Sequence, residues 1–393
     1  MRMTAIKTLT NALQRNIARV LPGWGMGSAK HNHACDFGWP EQISFSQFYR
    51  AYCRNGLASA AVDKTVAKTW ETMPVLWETE KPAESQLEAD VAKHFQNRRI
   101  WQSLMNADRR SMVGAYAGAI LILADGKALD QPVDRVPGNI EGLVRIIPAW
   151  QGQLKVAEYD NIQTSPTYGE PKFFSFEESE MMDGGGRRQV KVHPDRVIIW
   201  SEDGTVSGRS ALEPGFNDLI DAEKVKGAGG EGFWKTSRGA PLITAPDGMS
   251  LEEVVKGMGA VDVPEAMDKI NSQLEDFQSG FDKGLMLGGM NAEPLTITLP
   301  QPEGFFNIPV QSFAASMQMP VRILIGNQTG ERASTEDSRE WAQTNMSRRE
   351  NICLPLIREL VARLVRWGIL PERDWTVGWD DLTEATAGEK MDR

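Results

Sequence analysis

Between Thr335 and Trp367 the sequence keeps one helical pattern, with Trp341, Met346, Ile352, Leu356, Leu360 and Leu364 apolar and arginines set among them. At 1.5 Å per residue, a helix of about thirty residues would span roughly 45 Å. Pro355 sits in its middle and removes a backbone hydrogen bond, which predicts a kink there. Leu356, Leu360, Leu364 and Ile357, Val361, Val365 form two adjacent four-spaced rows, a wide core-facing stripe.

A short apolar run, Val321–Ile325, precedes this helix and meets the polar loop Gly326–Ser334. Within that loop Gln328, Thr329, Arg332 and Ser334 are candidates for DNA contact: Thr329 and Ser334 can hydrogen-bond phosphate weakly, and Arg332 can meet it as an ion. Glu331 limits the net attraction. Taken locally, an exposed connector whose Ser334 or Thr335 caps the next helix accounts for the same residues better.

The composition is that of a folded protein: 41% hydrophobic, 24% charged and 12 Trp in 393 residues, enough for two or three packed regions. The formal net charge of −10 argues against tight non-specific wrapping of nucleic acid. It does not argue against a wall past which DNA slides, because an acidic wall leaves no deep electrostatic trap. Cys35, Cys53 and Cys353 are an odd, scattered set, which argues against a disulfide framework and for a reducing compartment. The N-terminus lacks the continuous apolar run of a signal peptide; Leu9, Leu13, Ile17 and Val20 recur at helical spacing up to Pro22-Gly23. The most apolar run, Met112–Ala124, is too short to span a bilayer, so a soluble protein, intracellular at synthesis, is expected.

Residues 22–40 read as an irregular arm. Helices are predicted over Ser44–Ala61, capped by Ser44, and over Glu84–Arg110. Ala115–Ala124 reads as a buried strand closed by the Asp125-Gly126 turn. Short strands follow at Leu143–Pro148, Gln153–Val156, Phe173–Phe176 and Val190–Trp200, with Asp183–Gly186 as a hairpin tip. Ser210–Lys226 is a helix behind a Ser210 cap, weakened or broken at Gly227–Gly230. Pro264–Met286 and Phe305–Met319 are helical, with a strand at Leu295–Leu299 between them. Strands set between helices, without βαβ alternation, give an α+β fold.

Candidate chemistry is thin. His31-x-His33-x-Cys35 lacks the fourth ligand and regular spacing of a structural zinc site, so a loose arm is the better reading. Gly184–Gly186 and Gly227–Gly232 lack the Gly-Lys-Ser/Thr ending of a phosphate loop. The four His (31, 33, 94, 193) form no nucleophile–base set, and Glu177-Glu178-x-Glu180 and Asp380-Asp381 read as solvated faces. No enzyme activity, metal or cofactor is expected.

The order of segments resembles phage portal proteins. The words that carry it are Met319-Pro320-Val321-Arg322-Ile323-Leu324-Ile325-Gly326, then Glu331-Arg332-Ala333-Ser334, then the long helix with Pro355. Upstream, Phe48–Ala58 followed by Val62–Ala67 looks like the family's early helix. His193–Ile198 and Gly208–Glu213 resemble the strand and helix start that open its stem. Each word is degenerate alone; their order over residues 44–367 carries the weight.

The resemblance implies a portal fold with an α/β wing, a helical stem, a small α/β clip and a long kinked helix. Its parts would be an arm (1–43), wing (44–207), first stem helix (208–235), clip (236–303), second stem helix (304–325), tunnel loop (326–335), long kinked wing helix (336–370) and a segment leading towards a crown (371–393). The crown itself would be absent or truncated. A ring, usually of twelve subunits, would stand at one capsid vertex of the virion, with double-stranded DNA in its channel facing Asn327, Gln328, Thr329, Arg332 and Ser334. Implied partners are the large terminase subunit at the clip, a head–tail connector or adaptor, the major capsid protein and scaffolding protein, with no membrane. In that setting Arg348, Arg349, Arg358, Arg363 and Arg366 are expected to make intersubunit or intrahelical ion pairs with Glu350 and Glu359 rather than to bind DNA. Competing readings are another head–tail connector or minor capsid protein, against which length argues, and a metal-dependent phage nuclease.

Overall fold

A computed structural model of the chain describes residues 33–83, 85–178, 188–237, 241–244, 250–257, 259–279, 291–294, 302–326 and 331–383. The chain divides into two units. One is Met1–Ile220 with Val310–Arg393, and the other is Asp221–Pro309.

After a single helical turn at His33–Asp36, the described part of the first unit has two helices where one was expected: α1 (Phe45–Arg54) and α2 (Gly56–Thr69). Asn55 separates them by taking an extended backbone, φ −99° and ψ 118°. Its Oδ1 accepts from the Leu57 and Ala58 N–H groups at 2.9 and 3.3 Å, so one side chain ends α1 and caps α2. Strand β1 is Val75–Trp77. The expected helix over Glu84–Arg110 also divides, into α3 (Gln86–Asn97) and α4 (Ile100–Val113), because Arg99 lies in the left-handed region at φ 53°.

The uniformly apolar segment becomes β2 (Ala117–Leu123), buried along almost its whole length. After it come β3 (Leu143–Trp150), β4 (Leu154–Tyr159), β5 (Pro171–Glu177), β6 (Gln189–Val192) and β7 (Val197–Trp200). The expected strand Val190–Trp200 is thus two strands, divided by a 3-10 turn at Pro194–Arg196. Strand β2 is the centre of an antiparallel sheet ordered β3-β2-β7, with Ile120 opposite both Ile147 and Val197. Strands β4-β5-β6 form a second antiparallel sheet. Ile120, Ala149, Leu154, Phe174, Phe176, Val192 and Val197 form one apolar core from both sheets. Gly118 is fixed by this packing: a Cβ there would lie 2.2 Å from Leu154 Cδ2. The hairpin tip expected at Asp183–Gly186 lies outside the described residues.

Helix α5 (Phe216–Ser237) starts later than expected and runs through Gly227–Gly232 without a break. Ser210 does not cap it. Its hydroxyl donates to the Met112 and Val113 carbonyls at 3.3 and 2.8 Å instead. In the second unit β8 (Pro241–Thr244) is followed by α6 (Leu251–Gly257) and α7 (Val263–Ser279). Strand β9 (Asn291–Pro294) then pairs antiparallel with β8. The strand expected at Leu295–Leu299 lies outside the described residues. Helix α8 (Pro302–Ser316) crosses back into the first unit.

The returning chain forms α9 (Val321–Ile325) and α10 (Glu331–Arg348), a π turn over Arg349–Cys353, α11 (Leu354–Arg366) and β10 (Thr376–Gly378), which pairs with β1. Pro355 stands in the first turn of α11, just after the π turn, and the Leu354 N–H reaches five residues back to the Arg349 carbonyl. The wider turn lets the chain continue as a helix past a residue that has no N–H to donate. Leu356, Ile357, Leu360, Val361 and Leu364 are buried, as the two-row stripe requires.

Gly118→Val would force a branched side chain against Leu154 and should lower stability by about 1–3 kcal/mol, read as a fall in the denaturant midpoint of the purified protein.

Candidate functional site

The polar groups that the long helix turns inward define its role. Asp108 on α4 is fully buried. Its Oδ2 accepts from Trp70 Nε1 at 2.8 Å and from Arg348 Nη1 at 2.8 Å, and its Oδ1 accepts from Trp200 Nε1 at 2.9 Å and from Arg348 Nη2. Burial pulls the Arg348 guanidinium down, but attraction to the Asp108 carboxylate, together with Cys353 and the hydrogen bonds to both, raises its pKa above the ordinary value. Cys353 Sγ lies 3.6 Å from Arg348 Nη1, and burial pushes its thiol well up, so it stays protonated.

Arg349 points elsewhere. Its Nε donates to the Thr69 carbonyl at 2.6 Å, Nη1 to the Asp380 carbonyl at 2.5 Å and Nη2 to Thr72 Oγ1 at 3.3 Å. The guanidinium also sits 4.5 Å from the centre of the Trp379 ring. Burial pushes its pKa down to about 10, which still leaves it charged at neutral pH. Arg363 donates to the carbonyls of Pro194, Asp195 and Val197 at 2.8–2.9 Å and pairs with Glu359 at 2.5 Å. The intrahelical pair was expected. Arg348 and Arg349 correct the expectation, for they hold their own chain together rather than pairing with Glu350 or Glu359.

The same scaffold holds the base of the polar loop. At its start, Lys64 Nζ on α2 donates to the Ile323 and Leu324 carbonyls at 2.6 and 3.0 Å, and Gly326 turns the chain away at φ +96°. Beyond the loop, α10 is fixed by buried Trp341 and by Asn345, whose Oδ1 accepts from Thr69 Oγ1 at 2.9 Å. Helix α2 therefore grips both sides of the loop, through Lys64 and Thr69. Of the residues expected to face DNA, Asn327, Gln328 and Thr329 lie outside the described residues. Arg332 and Ser334 stand in the first turn of α10 rather than in a loop. Sequence reasoning missed Lys64, Asn345 and Asp108. Only Asp108 left a signal, as a carboxylate on the apolar face between Leu104 and Met112.

A groove of about 470 Å³ nearby is lined by Arg209, Gln318, Arg348 and Asn351 among others, but the buried Thr65, Ser210 and Asn345 on its wall, and the half-buried Arg348, are all bonded within the chain. Among the described residues no three His, Cys, Asp or Glu side chains are grouped to hold a metal ion. None of their helices is long and apolar enough to cross a membrane. Of the His31-x-His33-x-Cys35 cluster, His31 lies outside the described residues, and His33 and Cys35 fall in a single helical turn, His33–Asp36.

The first unit mixes helices and sheets and is interrupted in sequence by the second, with the two boundaries falling within α5 and α8. The chain belongs to the phage portal protein family, whose profile matches residues 46–393. No curated relative matches. Among solved structures, the chain is similar to one from the neck of an empty gene transfer agent particle, computed with six-fold symmetry. That match has a TM-score of 0.50 and 13% identity, covering 86% of this chain and 85% of the other. It is similar too to a chain of the native gene transfer agent virion, with TM-score 0.48, 13% identity and coverage of 86% and 84%. An HK97-family phage portal protein from Corynebacterium diphtheriae gives TM-score 0.46, 12% identity and coverage of 85% and 95%. The expected α+β portal fold holds, and the family match extends past residue 367, where the sequence resemblance stopped.

Arg348→Met would strand the Asp108 charge in the core and should cost about 3–5 kcal/mol. The double variant with Asp108→Asn should lose less than the sum of the two single losses, measured by denaturant unfolding of all four species.

Proposed function

We propose that this chain is one subunit of a portal ring, a dodecamer, at a single capsid vertex of a tailed phage or a related particle. DNA would enter through its channel during packaging and leave through it on ejection. The observation that carries this reading is the portal family match across residues 46–393.

In this reading residues 44–207 and 336–370 make the wing, α5 and α8 run in the stem, and 236–303 form the clip where the large terminase subunit docks and a connector later replaces it. The major capsid protein and scaffolding protein would meet the wing. The chain supplies shape, charge and a docking platform, with no catalytic step of its own. The segment between Gly326 and α10 faces the DNA. Asn327, Gln328 and Thr329 offer neutral hydrogen-bonding groups there, suited to contact without tight retention.

Replacing Asn327, Gln328 and Thr329 together by glycine tests the loop. Rings should assemble at the unaltered yield, while the DNA packaged and retained per particle falls severalfold. Failure of ring formation would make the segment an assembly element, and unchanged packaging would remove its role at the DNA.

A further inference from the structure

Helix α9 is five residues long, a single turn that chain propensity does not hold in place. Its position is set from outside. Leu324 is buried at 2% exposure, and Lys64 Nζ is shared between the carbonyls of Ile323 and Leu324. A cation at this end meets the negative end of the peptide dipoles as well as two acceptors. An ion pair on the other side is weaker, for Arg322 Nε lies 3.9 Å from Asp337 Oδ2 between partly exposed side chains.

The backbone turns sharply on both sides of α9. Gln318 before it has φ 51° and Gly326 after it has φ +96°. A one-turn helix between two such turns has little backbone continuity to orient it, so its anchors decide where Gly326 points. Helix α2, by contrast, is deeply set: Ala58, Ala61, Val62 and Val66 are all fully buried. Beyond its end, Trp70 bonds to Asp108. Lys64 joins the least self-sufficient element beside the loop to one of the best-held elements of the unit.

We propose that Lys64 is a positioning residue for the DNA-facing segment. Its ammonium fixes the C-terminal end of α9 and thereby the point and direction at which the chain leaves Gly326. The consequence for DNA rests on the portal reading above, whereas the anchoring stands on the geometry alone. Lys64→Met keeps the aliphatic stem and removes the donors; Lys64→Arg keeps charge and donors.

Hydrogen exchange on the assembled full-length protein reads the anchor directly. The amides of Ile323, Leu324 and Gly326 bond within this turn. In Lys64→Met they should exchange roughly ten- to hundredfold faster, the range for losing hydrogen bonds to a charged group. Exchange in α2 and α11 should stay unchanged, and Lys64→Arg should restore most of the protection. Unchanged exchange at these three amides, or a rise spread over the whole unit, would overturn the proposal. Particles carrying Lys64→Met should form rings yet retain less DNA, in the same direction as the glycine replacement of Asn327–Thr329. If that replacement lowers retention and Lys64→Met does not, Lys64 does not position the loop. If neither lowers it, the DNA-facing reading of the loop falls, and the exchange result still decides the anchor.

Discussion

One buried carboxylate organises the first unit. Asp108 accepts two indole N–H groups and a doubly donating guanidinium, and these come from the residue after α2, from β7 and from the end of α10. Taking Asp108 and Arg348 out of water is costly, and the arrangement stands because both carboxylate oxygens are fully engaged. The four hydrogen bonds tie α4 to the residue after α2, to β7 and to the end of α10 through one side chain. Arg349, the next residue, carries the tie further, to Thr69, Thr72 and Asp380, so that the segment leading from β10 is fastened to the end of α2. The π turn begins at this pair, where two consecutive arginines must reach different parts of the core.

Much of the scaffold was legible in the sequence because apolar periodicity reports burial. The run that became β2 and the double stripe of α11 are examples. What periodicity does not report is where a polar side chain overrides it. Asn55 sits inside an apolar pattern that continues across it, yet its amide oxygen captures two N–H groups and ends one helix to begin another. Arg99 divides the next pair by its backbone conformation, which leaves no mark on the pattern. The glycine run after Lys226 failed in the opposite sense: glycine lowers helix propensity by up to about 1 kcal/mol per residue, but the rest of α5 carries the helix through it.

The candidate site was legible only as a place. Segment order put a polar loop between Ile325 and the long helix; the chain agrees at the first edge, where Gly326 turns out of α9, but α10 already stands at Glu331, four residues before the expected helix start. The groups that hold those edges were invisible because they come from far away in the chain. Lys64 and Thr69 are ordinary helix residues until folding brings α9 and α10 onto α2. The arginines of the long helix misled for a related reason: on a long amphipathic helix they read as surface charge, and only the fold supplies a buried Asp108 for one of them.

These features describe a first unit in which α2 holds the chain on both flanks of the segment between Gly326 and α10, through Lys64 and Thr69. A cryo-electron microscopy map of the purified full-length assembly tests this account most directly. It should show a closed ring whose axial channel admits duplex DNA, with Gly326 and the start of α10 at the channel wall. A protein that remains monomeric at high concentration, or a ring that carries those residues on its outer rim, would contradict it.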